Sequence, residues 1–192
     1  MRLFIAFSLP VEIKNYLAKT INNFKSHCSD DKAVKWVDAN NIHLTVKFLG
    51  DTSENLLDPI KNNLINIGKL FSAINCSTNK VGAFPNLNKP RVYWIGIDLR
   101  NDDIFNLVKS IDKAMSQLGF EKESKKFKAH LTLGRVKNSN DLSNLNNYIS
   151  DYKVEPKQLI FDKLCLYKST LTPQGPIYEC LHEVKLGEER FE

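Results

Sequence analysis

The sequence has little that would carry it into a membrane or gather a metal. No apolar run approaches the ~18 residues needed to span a bilayer, so no transmembrane helix is expected. The opening stretch, Met1-Arg2-Leu3-Phe4-Ile5-Ala6-Phe7-Ser8-Leu9-Pro10, is a short apolar run with no convincing cleavage site. It reads as a first strand, and the expectation is a cytoplasmic protein with no membrane contact. Cysteine is scarce: Cys28, Cys76, Cys165 and Cys180 make no Cys-x-x-Cys pair and no ligand spacing, which argues against zinc. They are expected to be free thiols used in packing, although Cys165 and Cys180 flank a candidate hairpin. The excess of positive charge is only +5, which suits an anionic ligand without marking a nucleic-acid-binding stripe.

What is present is an ordinary globular composition, 42% hydrophobic and 26% charged, in 192 residues. That length fits one domain or two small lobes sharing a core. A strand over residues 2–9 is followed by a helix opening at Pro10, whose Ile13, Leu17, Ile21 and Phe24 recur on one face. Lys35-Trp36-Val37 leads into a strand that ends at Gly50 and Asp51. Ser53 is placed to cap a second helix with an apolar stripe of Leu57, Ile60, Leu64 and Ile67, stopped by Gly68. Strand-like sequence then runs from Phe71 to Phe84.

After the turn cluster Pro85-Asn86-Leu87-Asn88-Lys89-Pro90 the order starts again. Arg91–Ile97 reads as a strand. A helix from Asn101 carries Ile104, Leu107, Val108, Ile111, Met115 and Leu118 and closes at Gly119. Another strand follows, then a weaker helix over Leu142–Tyr152. Two strands, Leu159–Ser169 and Ile177–Leu186, are joined through Thr172-Pro173-Gln174-Gly175-Pro176. Leu3 to Val92 spans 89 positions and His43 to His130 spans 87, so the offset is consistent. Two copies are too few for a solenoid. They predict one domain of two similar lobes, approximate repeats 1–85 and 90–192, about a two-fold axis.

The two copies also repeat a chemical pattern. His43-Leu44-Thr45-Val46 and His130-Leu131-Thr132-Leu133 are both strand-like. Alternation puts His43 with Thr45, and His130 with Thr132, on one face, and the aliphatic residues on the other. Two imidazoles across a groove make an acid–base pair: one takes a proton from water while the other gives one to a leaving oxygen. A strained cyclic phosphodiester needs both functions and no metal. Thr45 and Thr132 would hydrogen-bond the non-bridging oxygens, and Arg135 or Lys47 would hold the negative charge. Lys47 has the parity of the histidine face. Arg135 lies on the wrong face of a regular strand and reaches the groove only if the strand ends or bulges, which Gly134 permits.

His27 and His182 lack a partner copy and read as structural. Trp36, Phe48, Phe127 and Trp94 read as core rather than base-stacking platforms, and Lys122–Lys128 as a solvated surface that assists attraction of a polyanion.

These blocks, with Arg2-Leu3-Phe4-Ile5-Ala6 and Phe84-Pro85 … Lys89-Pro90-Arg91-Val92-Tyr93-Trp94, resemble the two-histidine phosphoesterases, specifically the RNA 2′,3′-cyclic phosphodiesterases also called 2′-5′ RNA ligases. The resemblance covers nearly the whole chain. It implies an α+β fold of two antiparallel sheets with outer helices facing a central groove. It also implies opening of a terminal ribose 2′,3′-cyclic phosphate to a 2′-phosphate, with His43 as proton donor, His130 as proton acceptor and no cofactor. The reverse reaction with a 5′-hydroxyl would give a 2′-5′ linkage. The expected partners are RNA ends or small cyclic nucleotides, and a monomer is expected. The same machinery acting on another small cyclic phosphate, or a module that binds RNA ends without turnover, are the competing readings.

Overall fold

The computed structural model describes residues 1–138, 141–173 and 175–187. In chain order the first half comprises β1 (Arg2–Phe7), α1 (Val11–Lys25), β2 (Val34–Trp36), β3 (Leu44–Asp51), α2 (Leu57–Gly68) and β4 (Ile74–Phe84). The second comprises β5 (Val92–Leu99), α3 (Asp103–Gln117), β6 (His130–Val136), α4 (Ser143–Asp151), β7 (Gln158–Phe161), β8 (Lys163–Thr172) and β9 (Gly175–Lys185). The strands form two antiparallel sheets, β3-β1-β8-β9 and β2-β6-β5-β4-β7.

The sheets repeat one plan. In each, a central strand (β1 or β5) lies between a histidine strand (β3 or β6) and a strand from the other half of the chain (β8 or β4). The helices follow their apolar stripes. Ile13, Leu17, Ile21 and Phe24 of α1 are buried, as are Ile60, Leu64 and Ile67 of α2 and Ile104, Leu107, Ile111 and Met115 of α3. α2 and α3 pack on each other and on the first sheet; α4 packs on β4 of the second, and α1 reaches it where Phe24 meets Trp36. None of the described helices is long and apolar enough to cross a membrane.

Several expectations shift. Residues 159–169 are two strands, since the chain leaves one sheet after Phe161 and enters the other at Lys163. Alternation alone carries no mark of that transfer. Trp36 belongs to β2, which pairs with β6 instead of running into β3. Ser53 makes no side-chain cap, and a 3-10 turn, Glu54–Leu56, precedes α2. Gly68 is the last residue of α2, and it is a glycine because β9 passes close by: a Cβ there would run into Val184 Cγ1. Gly119 has φ +92°, the left-handed conformation expected of a glycine after a helix. The β8–β9 ladder continues to Thr172 opposite Gly175, beyond the expected strand ends; Gln174 lies outside the described residues.

Candidate active site

His43 stands one residue ahead of β3, and His130 is the first residue of β6. Their local geometry is the same. His43 Nδ1 is 2.8 Å from the Asn41 carbonyl oxygen, and His130 Nδ1 is 2.6 Å from that of Lys128. A carbonyl only accepts, so Nδ1 carries the proton in both rings and Nε2 is the reactive nitrogen. The acceptor is in each case the main chain two residues earlier. Any residue type supplies that carbonyl, so the sequence holds no signal for it.

Each imidazole also rests on a phenylalanine of its own sheet, from β1 for His43 and from β4, two strands away, for His130. Phe4 lies 4.7 Å from His43 between ring centroids, and Phe84 lies 5.0 Å from His130, edge to face. Tyr178 meets His43 edge-on at 5.2 Å. Trp94 stacks on Phe84 at 5.1 Å and lies across Gly82, where a Cβ would be 2.7 Å from the indole.

Two β-bulges decide what else reaches the groove. In β6 the register slips between Thr132, opposite Trp94, and Gly134, opposite Tyr93, leaving Leu133 as the extra residue. Arg135 therefore comes round to the face of His130 and Thr132. The glycine beside the bulge has a different task, because a Cβ on Gly134 would lie 2.8 Å from both Trp36 and Val34. In β3 the slip falls between Thr45, opposite Ala6, and Lys47, opposite Ile5, with Val46 extra. Lys47 is thereby turned off the histidine face, against expectation, and Phe48 is brought onto it opposite Phe4. Phe48 is no core residue; it is 66% exposed.

Lys47 is buried behind the sheet, where its Nζ donates to Asp112 Oδ1 at 2.6 Å and to the Glu121 carbonyl at 2.8 Å. Burial would raise the Asp112 carboxyl, but the bonds from Lys47 and the Glu123 N–H hold it below its ordinary range. Asp112→Ala leaves a buried ammonium short of its counter-ion, at an expected cost of about 2–4 kcal/mol in urea unfolding. Lys47→Met, which removes charge and keeps the aliphatic stem, should leave kcat/KM within about threefold of wild type; a larger loss returns Lys47 to the phosphate.

Arg135 links the two histidines. Burial pushes the His43 imidazole down to about 4 and lowers His130 as well; the carbonyl bonds oppose this, and the Arg135 charge depresses both further. Lys14 adds to the effect at His43 and Lys128 at His130. One guanidinium felt at both rings places the two histidine strands across a common groove, and β3 and β6 are in contact. Among the described residues no hydrogen bond or ion pair engages the Arg135 guanidinium, and the hydroxyls of Thr45 and Thr132 are unengaged. No three described His, Cys, Asp or Glu side chains are grouped to hold a metal ion. Outside the groove, His27 stacks on Tyr148 at 3.6 Å, and His182 lies on β9. Of the proposed site residues, the fold puts His43 with Thr45 on one face at β3 and His130 with Thr132 and Arg135 on one face of β6, and sends Lys47 elsewhere.

The LigT-like phosphoesterase family model matches residues 7–94 and 97–178. The RNA 2′,3′-cyclic phosphodiesterase of Methanocaldococcus jannaschii is 40% identical over 95% of this chain and 99% of its own length. That of Thermotoga maritima is 32% identical over 95% and 94%. Among solved structures, a Thermus thermophilus protein superposes with TM-score 0.80 at 24% identity, covering 99% of this chain and 100% of its own. E. coli LigT complexed with 3′-AMP gives 0.71 at 21% identity, over 97% and 98%. With both histidine strands inside the matched segments, the chain belongs to the LigT-like phosphoesterase family.

Proposed function

We propose that the protein hydrolyses RNA 2′,3′-cyclic phosphate ends to 2′-phosphates by two-histidine acid–base catalysis without a metal ion. The observation that carries this reading is the matched pair of imidazoles, each with Nδ1 tied to a carbonyl and Nε2 free, within reach of one unpaired arginine. His130 Nε2 takes a proton from water as the water oxygen bonds to phosphorus. The bond from phosphorus to O3′ breaks, and His43 Nε2 delivers its proton to that oxygen. Arg135 and the two threonine hydroxyls hold the non-bridging oxygens. Solvent then resets both protons. The order of the roles rests on the family resemblance, since the local geometry of the two rings is the same. The reverse reaction, with an RNA 5′-hydroxyl in place of water, would form a 2′-5′ linkage.

The rest of the proposal is a cytoplasmic monomer whose two lobes form one interleaved domain. The exchange of β4 and β8 between sheets supports the interleaving, and the four free cysteines suit a reducing compartment.

Both imidazoles are depressed in the free protein, so the form with one proton on the pair is most populated on the acid side of the ordinary histidine value. The bound phosphodiester anion offsets Arg135 and favours the imidazolium, which moves the optimum for kcat upward. The bell for kcat/KM should therefore peak below about pH 6.5, with apparent values that belong to the pair. A kcat/KM still rising above about pH 7.5 contradicts this.

The deciding assay is incubation of a cyclic-phosphate-ended oligonucleotide in EDTA, with the product identified by phosphorus NMR. A 2′-phosphate formed at an undiminished rate is expected. A 3′-phosphate product, or activity lost to the chelator and restored by a divalent ion, overturns the proposal.

A further inference from the structure

The residue two positions ahead of each histidine lends the carbonyl that accepts from Nδ1, Asn41 for His43 and Lys128 for His130. Any residue type has a carbonyl to lend, but these two are fastened by unlike means. Lys128 is exposed, and its Nζ lies over the Phe84 ring at 5.4 Å. Asn41 is half-buried and closes a 3-10 turn, Ala39–Asn41. Its N–H donates to the Asp38 carbonyl at 2.8 Å. Its side-chain Nδ2 donates to the Pro176 carbonyl at 3.2 Å, across 135 positions of sequence.

Pro176 belongs to a stretch that its sheet does little to support. β1 pairs with β8 over Leu164–Lys168 only. The far end of the β8–β9 hairpin, from Ser169 opposite Tyr178 to Thr172 opposite Gly175, projects past that pairing as an arm. Leu171 and Ile177 on this arm are strongly exposed, so apolar packing of those side chains does not hold it. The arm nevertheless walls the groove. Tyr178 meets the His43 ring edge-on at 5.2 Å and Phe4 at 5.0 Å, and the Arg135 charge is felt at its phenol. Asn41 is the joint between the two: its side chain grips the arm, and its carbonyl grips the imidazole.

We propose that Asn41 is a positioning residue that couples the β8–β9 arm to His43. Its bond to Pro176 sets how the chain enters β3, and so where the Asn41 carbonyl stands beside His43 Nδ1. With that bond made, the neutral ring is held as the Nδ1–H tautomer and Nε2 points to the substrate. Without it the carbonyl shifts with the turn, the proton is shared between the two nitrogens, and Nε2 falls out of line with the reacting oxygen. The effect on rate rests on the cyclic phosphodiesterase reading; the effect on the ring does not.

The test uses Asn41→Ala and, where that variant does not fold, Asn41→Ser, whose hydroxyl is too short to reach Pro176. Imidazole nitrogen NMR of the free protein at about pH 7.5, above both depressed histidine values, reads the neutral tautomers. Wild type should show Nδ1–H at His43 and at His130. The variant should show a mixture at His43 and no change at His130. On a cyclic-phosphate-ended oligonucleotide its kcat should fall about 10–100-fold with KM within about threefold, since Arg135 and the threonines are untouched. Added to His43→Ala, the same substitution should cost less than about twofold, because its effect passes through the ring. An unchanged tautomer at His43, or a kcat within about twofold of wild type, overturns the proposal. So does a loss on top of His43→Ala as large as that in wild type. If wild type turns over no cyclic phosphate, the catalytic reading fails, and the tautomers alone then decide for or against the coupling.

Discussion

His43→Ala and His130→Ala should each lose about 10²–10⁴-fold in hydrolysis of a cyclic-phosphate-ended oligonucleotide, the usual size of general acid or base assistance. Each ring is fixed by its Nδ1 bond to the preceding main chain, so removing it takes away a positioned Nε2 and little of the framework. His43 also packs between Phe4 and Tyr178, and its alanine variant will lose some stability there. His43→Gln, which keeps more volume, separates that effect from catalysis. The double variant should be only slightly slower than either single one, because acid and base act in one step and their losses do not add. Initial rates and thermal melts check the set. A single variant that keeps more than about a tenth of the wild-type rate removes its residue from the mechanism.

The pair is legible because it is written twice. One His-x-Thr on a strand carries little information, but two, in two runs of similarly ordered elements, define a groove before any coordinates exist. The helices are legible for the same elementary reason: stripes such as Ile104, Leu107, Ile111 and Met115 have one period and one place to go. Strand edges and partners are harder. Alternation shows which face of a strand is buried but not which sheet it joins, so β2 and the passage from β7 to β8 stay hidden.

The residues misread at the site trace to one kind of irregularity. A bulge adds one residue and reverses the parity of everything after it. Val46 and Leu133 are ordinary strand residues and announce nothing. Counting by twos from His43 therefore puts Lys47 in the groove and leaves Phe48 out of it, and the fold does the opposite. For Arg135 a bulge is expected from Gly134, but the extra residue is Leu133, and the missing Cβ of Gly134 admits Trp36 and Val34. The carbonyls of Asn41 and Lys128 are beyond reach for a different reason. They belong to the main chain, and their role depends only on how the strand begins.

The division of labour between the two histidines has its own expected result. A cyclic phosphodiester whose leaving oxygen belongs to a phenol departs without needing a proton, whereas the ribose 3′-oxygen leaves as a strongly basic alkoxide. If His43 is the acid, His43→Ala should regain most of its lost rate on the activated substrate, and His130→Ala should stay slow because water still needs a base. Burial and the Arg135 charge disfavour the His43 imidazolium, so the acid's part requires the bound anion to raise that ring. Arg135→Ala should remain down by about 10²–10³-fold on both substrates, because the charge on the non-bridging oxygens is the same in each. The measurement is the ratio of mutant to wild-type kcat/KM on the two substrates. Rescue of His130→Ala in place of His43→Ala reverses the roles and leaves the pair intact. Rescue of Arg135→Ala would mean that the guanidinium acts on the leaving oxygen and not on the phosphate charge.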